Sequence, residues 1–302
     1  MTASRTWSAW SCTVRLTVDD PAVLGAACAE LETLMDRVGK AASRFRPDSE
    51  LSIVNGRAGA LVPVSRLLVD LVDVSLVAAQ VSGGAVDPTV GQAVIAAGYD
   101  ADIETVRRRF PHEPGEPQPV TGWQHVQLNR KLAMLGVPKG CALDLGATAK
   151  AWTADRAANV LSKRYGCAVL VEIGGDLRAA GVPKKPWVIT VAERAGETGV
   201  LVTLAHGGLT TSTRTVRRWQ TPTGYGHHVI DPRTGRPSEG QYRTASVWAP
   251  TAVRANTFST ALVATGDAAL GRLKLAGHPA RLIDADGEVT ELSGWPTASR
   301  AA

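Results

Sequence analysis

The chain has 302 residues, 44% of them hydrophobic and 20% charged, with a formal net charge of +5 at pH 7. That length can bury a large core, and that balance excludes a disordered, collagen-like or coiled-coil chain. Apart from Arg107-Arg108-Arg109 and the stretch 214–218, the positive excess is scattered, which argues against a nucleic-acid footprint and suits a small anionic ligand.

The four Cys are far apart and form no C-x-x-C, so reduced structural thiols are expected and a zinc site is not. No apolar run approaches the length of a membrane span. Residues 1–10 are polar, with no apolar signal-peptide core and no Cys placed to carry a lipid anchor. A cytoplasmic location is therefore expected.

In chain order, residues 12–18 alternate polar and apolar side chains and predict a half-buried strand. Asp20-Pro21 then opens a helix, whose apolar stripe is Val23, Leu24, Ala27, Leu31, Leu34, Met35 and Val38. A polar segment follows at 43–55, and a second helix is predicted over 65–80. Residues 111–119 hold four prolines and no apolar period, which predicts an exposed loop. A helix is expected over 148–165, stopped by Gly166. A buried strand follows at 169–173. Segments 187–192 and 200–204 read as a hairpin pair, and 244–249 as a further strand. Helices over 255–265 and 267–276 and a strand at 280–284 complete the prediction. Strands and helices mix without regular alternation, so the fold class is α+β. No internal repeat is visible.

Five segments carry candidate chemistry. Residues 227–237 read His-His-Val-Ile-Asp-Pro-Arg-Thr-Gly-Arg-Pro and predict a rigid turn rather than a strand or helix. Such a turn can hold an imidazole against a reacting group, or it is merely a solvated polar turn. Residues 144–155 place small side chains ahead of a helix N-terminus, with Lys150 in its first turn. That pattern suits a phosphate, and equally an ordinary helix cap. In 43–55, Phe45 beside Arg46 is a stacking platform for a flat ring or the edge of a core. Residues 83–91 form a Gly/Pro-bounded turn with one carboxylate, Asp87. Asn256 and Thr260 are four apart and share a helix face. Two such oxygens suit a hard cation, while the alternative is Asn256 as a helix cap and Thr260 bonded back to the backbone.

Taken in order, these motifs resemble the FAD:protein FMN transferase family, the ApbE-like proteins, from about residue 9 to residue 276. The matching runs are Ser43 to Asn55, Gly83-Gly-Ala-Val-Asp87-Pro-Thr-Val-Gly91, and Asp144-Leu-Gly-Ala-Thr-Ala-Lys150 on to Asp155. Gly174-Gly-Asp176, Thr211-Ser-Thr213 and His228-Val-Ile-Asp-Pro-Arg-Thr-Gly-Arg-Pro237 follow. The resemblance implies one ApbE-like domain over 1–302, with mixed sheets related to the T-fold, packed helices and a Pro-rich loop at 111–119. It implies an enzyme that binds FAD and Mg2+, cleaves the pyrophosphate, and passes the FMN phosphoryl group to a Thr or Ser of a flavin-acceptor protein. AMP leaves. His228 is then the catalytic base, and His227 falls one residue outside the match. FAD contacts fall at Phe45, Ala85, Val86, Asp87, Asp144, Lys150 and Ile230. The metal falls to the Ala147 carbonyl, Asn256 and Thr260. Departures from the family pattern are Asn256 where an Asp is usual, Arg254 where some members carry one, Ala147 and Ala151 for Gly, and Ser11-Cys12 for Gly-Thr. Two alternatives follow from them: a degenerate flavin-binding protein, or an FAD pyrophosphatase that uses water as acceptor.

Overall fold

The computed structural model describes residues 2–111, 113–194 and 196–296. Its frame is an eight-stranded sheet made of Ala3–Ala9, Cys12–Val18, Val169–Ile173, Asp176–Ala180, Gly207–Thr213, Tyr242–Ala249, Ala280–Asp284 and Val289–Leu292. The strands lie side by side in chain order, and every pairing is antiparallel. Alternation sets the faces. Val14, Leu16 and Val18 point to one side and are buried, while Thr13, Arg15 and Thr17 point to the other.

The buried face packs under three helices, Leu24–Ala42, Ala149–Tyr165 and Ala252–Thr265. One core joins Val14, Leu16 and Val171 to Leu31, Ala154 and Leu161. Its neighbour joins Ala245 and Val247 to Phe258 and Leu262. Towards the other face lies the Trp187–Val191 and Val200–Leu204 hairpin, packed on Leu170, Leu177 and Leu209.

The long excursion between Val18 and Val169 builds a second layer. It holds the helices Glu50–Gly56 and Arg66–Ser82 and a three-stranded sheet of Leu61–Pro63, Met134–Gly136 and Gln127–Asn129. Their core includes Leu51, Leu68, Leu71, Leu135 and Leu143.

The fold is α+β. Strands 12–18, 169–173 and 280–284 and the helix 267–276 have the predicted bounds. Ser65 caps the Arg66–Ser82 helix through the Leu68 N–H, and Gly166 ends the Ala149–Tyr165 helix with φ +63°. Four sheet strands, Ala3–Ala9, Asp176–Ala180, Gly207–Thr213 and Val289–Leu292, are not in the sequence prediction. Gly207–Thr213 reads Gly-Gly-Leu-Thr-Thr-Ser-Thr, too polar to signal a buried strand. Ladders on both sides hold it, and hydroxyl pairs such as Thr210–Ser259 satisfy its polar side chains. Ala3–Ala9 is an edge strand with little burial on either face, so it carries no apolar alternation.

The turn expected over 227–237 is instead a small hairpin, because Ile230–Asp231 pairs with Arg236–Pro237. Its tip needs Gly235, with φ +66°, since a Cβ there would lie 2.2 Å from the Gln118 carbonyl oxygen. The Pro-rich loop therefore docks on this hairpin, and Gly115 N–H donates to the Ala96 carbonyl at 2.7 Å. Among the described residues, no helix is long and apolar enough to cross a membrane.

Candidate functional site

A cleft of about 1090 Å3 opens between the exposed sheet face, the Trp187–Leu204 hairpin and the second layer. Phe45, Ala85, Val86, Asp87, Asp144, Ala147, Lys150, His228, Ile230, Asn256 and Thr260 all line it. Five chain segments, up to about 200 residues apart in sequence, thus converge on one cavity.

Several polar residues of the motifs build walls rather than bind. Asn55 donates to the Leu143 carbonyl at 2.9 Å and accepts from the Leu143 N–H at 2.8 Å. That paired amide fixes the segment leading to Asp144. Ser49 caps the Glu50–Gly56 helix, and its hydroxyl also donates to the Ser43 carbonyl at 2.6 Å. Asp87 accepts from the Thr89 N–H and hydroxyl and from the Trp123 N–H, so both of its oxygens are engaged within the protein. Asp155 accepts from the Ala252 and Val253 N–H groups at 2.8 and 2.9 Å, tying the Ala149–Tyr165 helix to the N-terminus of the next long helix. Asp231 holds its turn by accepting from the Arg233 N–H and guanidinium.

One end of the cleft is aromatic and cationic. Arg44 lies over the Phe45 ring at 4.5 Å and donates to Asp144 at 2.8 Å, while both of its terminal nitrogens are buried without hydrogen-bond partners among the described residues. Burial pushes the Asp144 carboxyl up, but Arg44 and the Gly146 N–H outweigh it, and its pKa lies below the ordinary value. Phe45 meets Tyr99 edge-on at 5.3 Å, and Tyr99 stacks on Trp219 at 5.5 Å. Arg217 donates to the Tyr99 hydroxyl at 2.8 Å. Neither Tyr99, Trp219, Arg44 nor Arg217 stood among the predicted site residues. Only Arg44 had a local signal, through its place beside Phe45.

His228 lies 6.2 Å from the Tyr99 ring, and its Nδ1 is buried with no partner among the described residues. Burial, then Arg217, His227 and Lys150, hold its pKa at about 3, while Asp144 acts weakly in the opposite sense. The imidazole is therefore neutral at pH 7, the form that can accept a proton. His227 turns elsewhere: its Nε2 bonds the Ser238 carbonyl at 3.0 Å, and it does not line the cleft.

The other end is a cluster of oxygens around Asp176. Lys150 pairs with this carboxylate at 2.5 Å, and the Asn256 amide donates to it at 2.7 Å. The Thr260 hydroxyl donates to Asn256 Oδ1 at 3.1 Å and pairs with the Ser212 hydroxyl at 2.9 Å. The helix begins at Ala252 with Thr251 as its cap, so Asn256 sits in the second turn and is not the cap. Thr260 does not bond back to the main chain either, because its hydroxyl faces Asn256 and Ser212. Both side chains belong to this cluster and line the cleft. Among the described residues, no three His, Cys, Asp or Glu gather as a metal cluster. The donors here are one carboxylate with neutral oxygens, a set that fits Mg2+ once phosphate oxygens complete it.

The sequence profile described as the ApbE family matches residues 9–282. The FAD:protein FMN transferase of Salmonella typhimurium is 28% identical over 246 residues, covering 78% of this chain and 70% of that protein. The FAD:protein FMN transferase of Treponema pallidum is 28% identical over 278 residues, covering 84% and 76%. The crystal structure of the ApbE protein of Thermotoga maritima superposes with a TM-score of 0.86 at 25% identity, covering 98% of both chains. Pseudomonas stutzeri flavinyl transferase ApbE shares the fold, with a TM-score of 0.80 at 23% identity over 98% of this chain and 96% of that one. With the motifs in order, one cleft gathering them and a profile match over nearly the whole length, the chain belongs to the ApbE family.

Proposed function

We propose that this chain transfers the FMN moiety of FAD to a Thr or Ser hydroxyl of an acceptor protein, with AMP as the leaving group. The observation that carries the reading is the convergence of a flat aromatic wall, three cations and a neutral imidazole on one cleft. The relatives' names support it. Phe45 and Arg44 offer a platform for an isoalloxazine ring, with Ile230, Ala85 and Val86 as its apolar surround. Lys150, Arg44 and Arg217 bring positive charge to a pyrophosphate.

The reaction needs in-line placement and charge neutralisation more than covalent help from the protein. The acceptor oxygen forms a bond to the FMN phosphorus as the anhydride bond to AMP breaks. Neutral His228 takes the hydroxyl proton, so the charges balance without a separate base. Asp144 is engaged with Arg44 and does not compete for that proton. Mg2+ would be held by Ala147, Asn256 and Thr260 and would neutralise charge on the phosphates.

The test is incubation with FAD and Mg2+, with and without a flavin-acceptor domain, followed by chromatography of AMP and FMN. AMP with labelled acceptor is the expected result. AMP with free FMN, unchanged by acceptor, marks a pyrophosphatase. FAD bound without AMP release marks a degenerate flavin-binding protein.

A further inference from the structure

The Asn256–Thr260 pair holds no formal charge, yet a divalent cation among neutral oxygens alone binds weakly. Asp176 is 1% exposed and hydrogen-bonds directly to the Asn256 side chain. It comes from the opposite element, the sheet. The Gly174-Gly175 turn, with φ +59° and +90°, sets it opposite Ile173 in the hairpin ladder, and Leu177 beside it points to the other face. The two other acids of the matched motifs that line the cleft are engaged elsewhere: Asp87 with Thr89 and Trp123, Asp144 with Arg44 and Gly146. Without substrate, Lys150 neutralises Asp176 in a partly buried pair.

We propose that Asp176, on the sheet, supplies the negative charge of the cation site, beside Asn256 as a neutral oxygen donor. Lys150 is the exchangeable partner. A pyrophosphate entering the cleft draws the Lys150 ammonium, and the freed carboxylate faces the cation. Two ion pairs replace one pair and two separate ions, so no buried charge is left alone. It follows that cation and pyrophosphate bind with positive coupling, each strengthening the other by the same factor. This inference rests on the flavin-transfer reading for its substrate, but its charge placement is tested separately.

Mn2+ serves as probe, with free Mn2+ followed by electron paramagnetic resonance in the presence and absence of FAD. FAD binding is followed by flavin fluorescence in the same samples. Wild type should bind Mn2+ far more tightly with FAD present. Asp176→Asn should lower Mn2+ affinity by at least about 10–100-fold, the range for disturbing even the outer partners of a metal site. It should leave FAD binding equal or tighter, since Lys150 is released. The double variant Asp176→Asn with Asn256→Asp moves the acid from sheet to helix and should restore Mn2+ affinity to within a few-fold.

Mn2+ affinity unchanged in Asp176→Asn overturns the assignment, even where wild type still releases AMP. Loss of both ligands in Asp176→Asn, not restored in the double variant, makes Asp176 a scaffold residue and overturns it too. Failure of wild type to bind FAD at all instead removes the flavin-transfer reading. Asn256→Asp alone adds an independent check. It sets two carboxylates in contact, so its melting temperature should fall below wild type and recover on adding Mn2+.

Discussion

The two ends of the cleft handle charge in opposite ways. At the Asp176 end, each strong group already has a partner: Lys150 with Asp176, Asp176 with Asn256, Asn256 with Thr260. At the His228 end, polar atoms are left open: both terminal nitrogens of Arg44 and Nδ1 of His228 are buried without partners among the described residues. A buried unpaired donor costs roughly 1–3 kcal/mol, more when charged, so the open end carries a standing penalty that a ligand relieves. The closed end carries none and must exchange partners before it binds anything. The open end is therefore built to recognise, and the closed end to respond once recognition has occurred.

Removing the imidazole breaks this comparison most sharply. His228→Ala should lower the transfer rate by about 10²–10⁴-fold, the usual contribution of a positioned base. FAD affinity should change little, because the residues around the proposed ring site, Phe45 and Arg44, remain. Rate by AMP release and affinity by flavin fluorescence separate the two. If both fall together, His228 belongs to binding and the open end has no separate catalytic half.

Phe45→Ala tests the recognition half alone. FAD binding should weaken by roughly 1–3 kcal/mol, the range for losing an aromatic stacking partner of a base. Mn2+ affinity measured without FAD should not move, since among the described residues no hydrogen bond joins Phe45 to the Asp176 cluster. An equal loss in both would mean that the ends are one site. Calorimetry with FAD and with Mn2+ decides.

How much of this is legible in sequence differs between the ends. The turn-to-helix order around Asp144 and Lys150 and the His228 segment are readable because their turn residues sit at fixed local spacing. The partners are not. Asp176 meets Asn256 across 80 residues and Arg44 meets Asp144 across 100, and no local pattern specifies such pairings. Tyr99 reaches the cleft, with Trp219 stacked behind it, from segments without motif or clear period. The central Gly207–Thr213 strand is invisible because its neighbours, not its own apolar content, hold it in the sheet. Asn55 and Asp155 belong to the motifs, yet their hydrogen bonds make them structural. Each satisfies main-chain groups that position a cleft element.

The smallest expected effect is a displacement in pH dependence. His228 is held at about 3 first by burial and then by Arg217, His227 and Lys150. A bound pyrophosphate brings negative charge beside two of these cations and weakens their field at the imidazole. The pKa of His228 therefore rises in the complex. Neutral imidazole is the active form, so activity is lost as pH falls through that pKa. The acid limb of kcat, which reports the complex, should lie above that of kcat/KM, which reports the free protein. A separation of about 1 pH unit corresponds to roughly 1.4 kcal/mol of altered interaction. The fold sets the lower limit of the measurement. A histidine with an ordinary pKa of 6.5 when unfolded and about 3 when folded stabilises the fold fully only above pH 6.5. That contribution drains away as pH falls toward 3, and His227, held at about 4 by burial and Arg214, acts in the same direction. Arg217→Gln removes the largest cationic influence on His228 and should raise the kcat/KM limb toward the kcat limb. Coincident limbs in wild type, unchanged by Arg217→Gln, would mean that the imidazole does not sense the phosphate and that the open end is not electrostatically joined to the closed one.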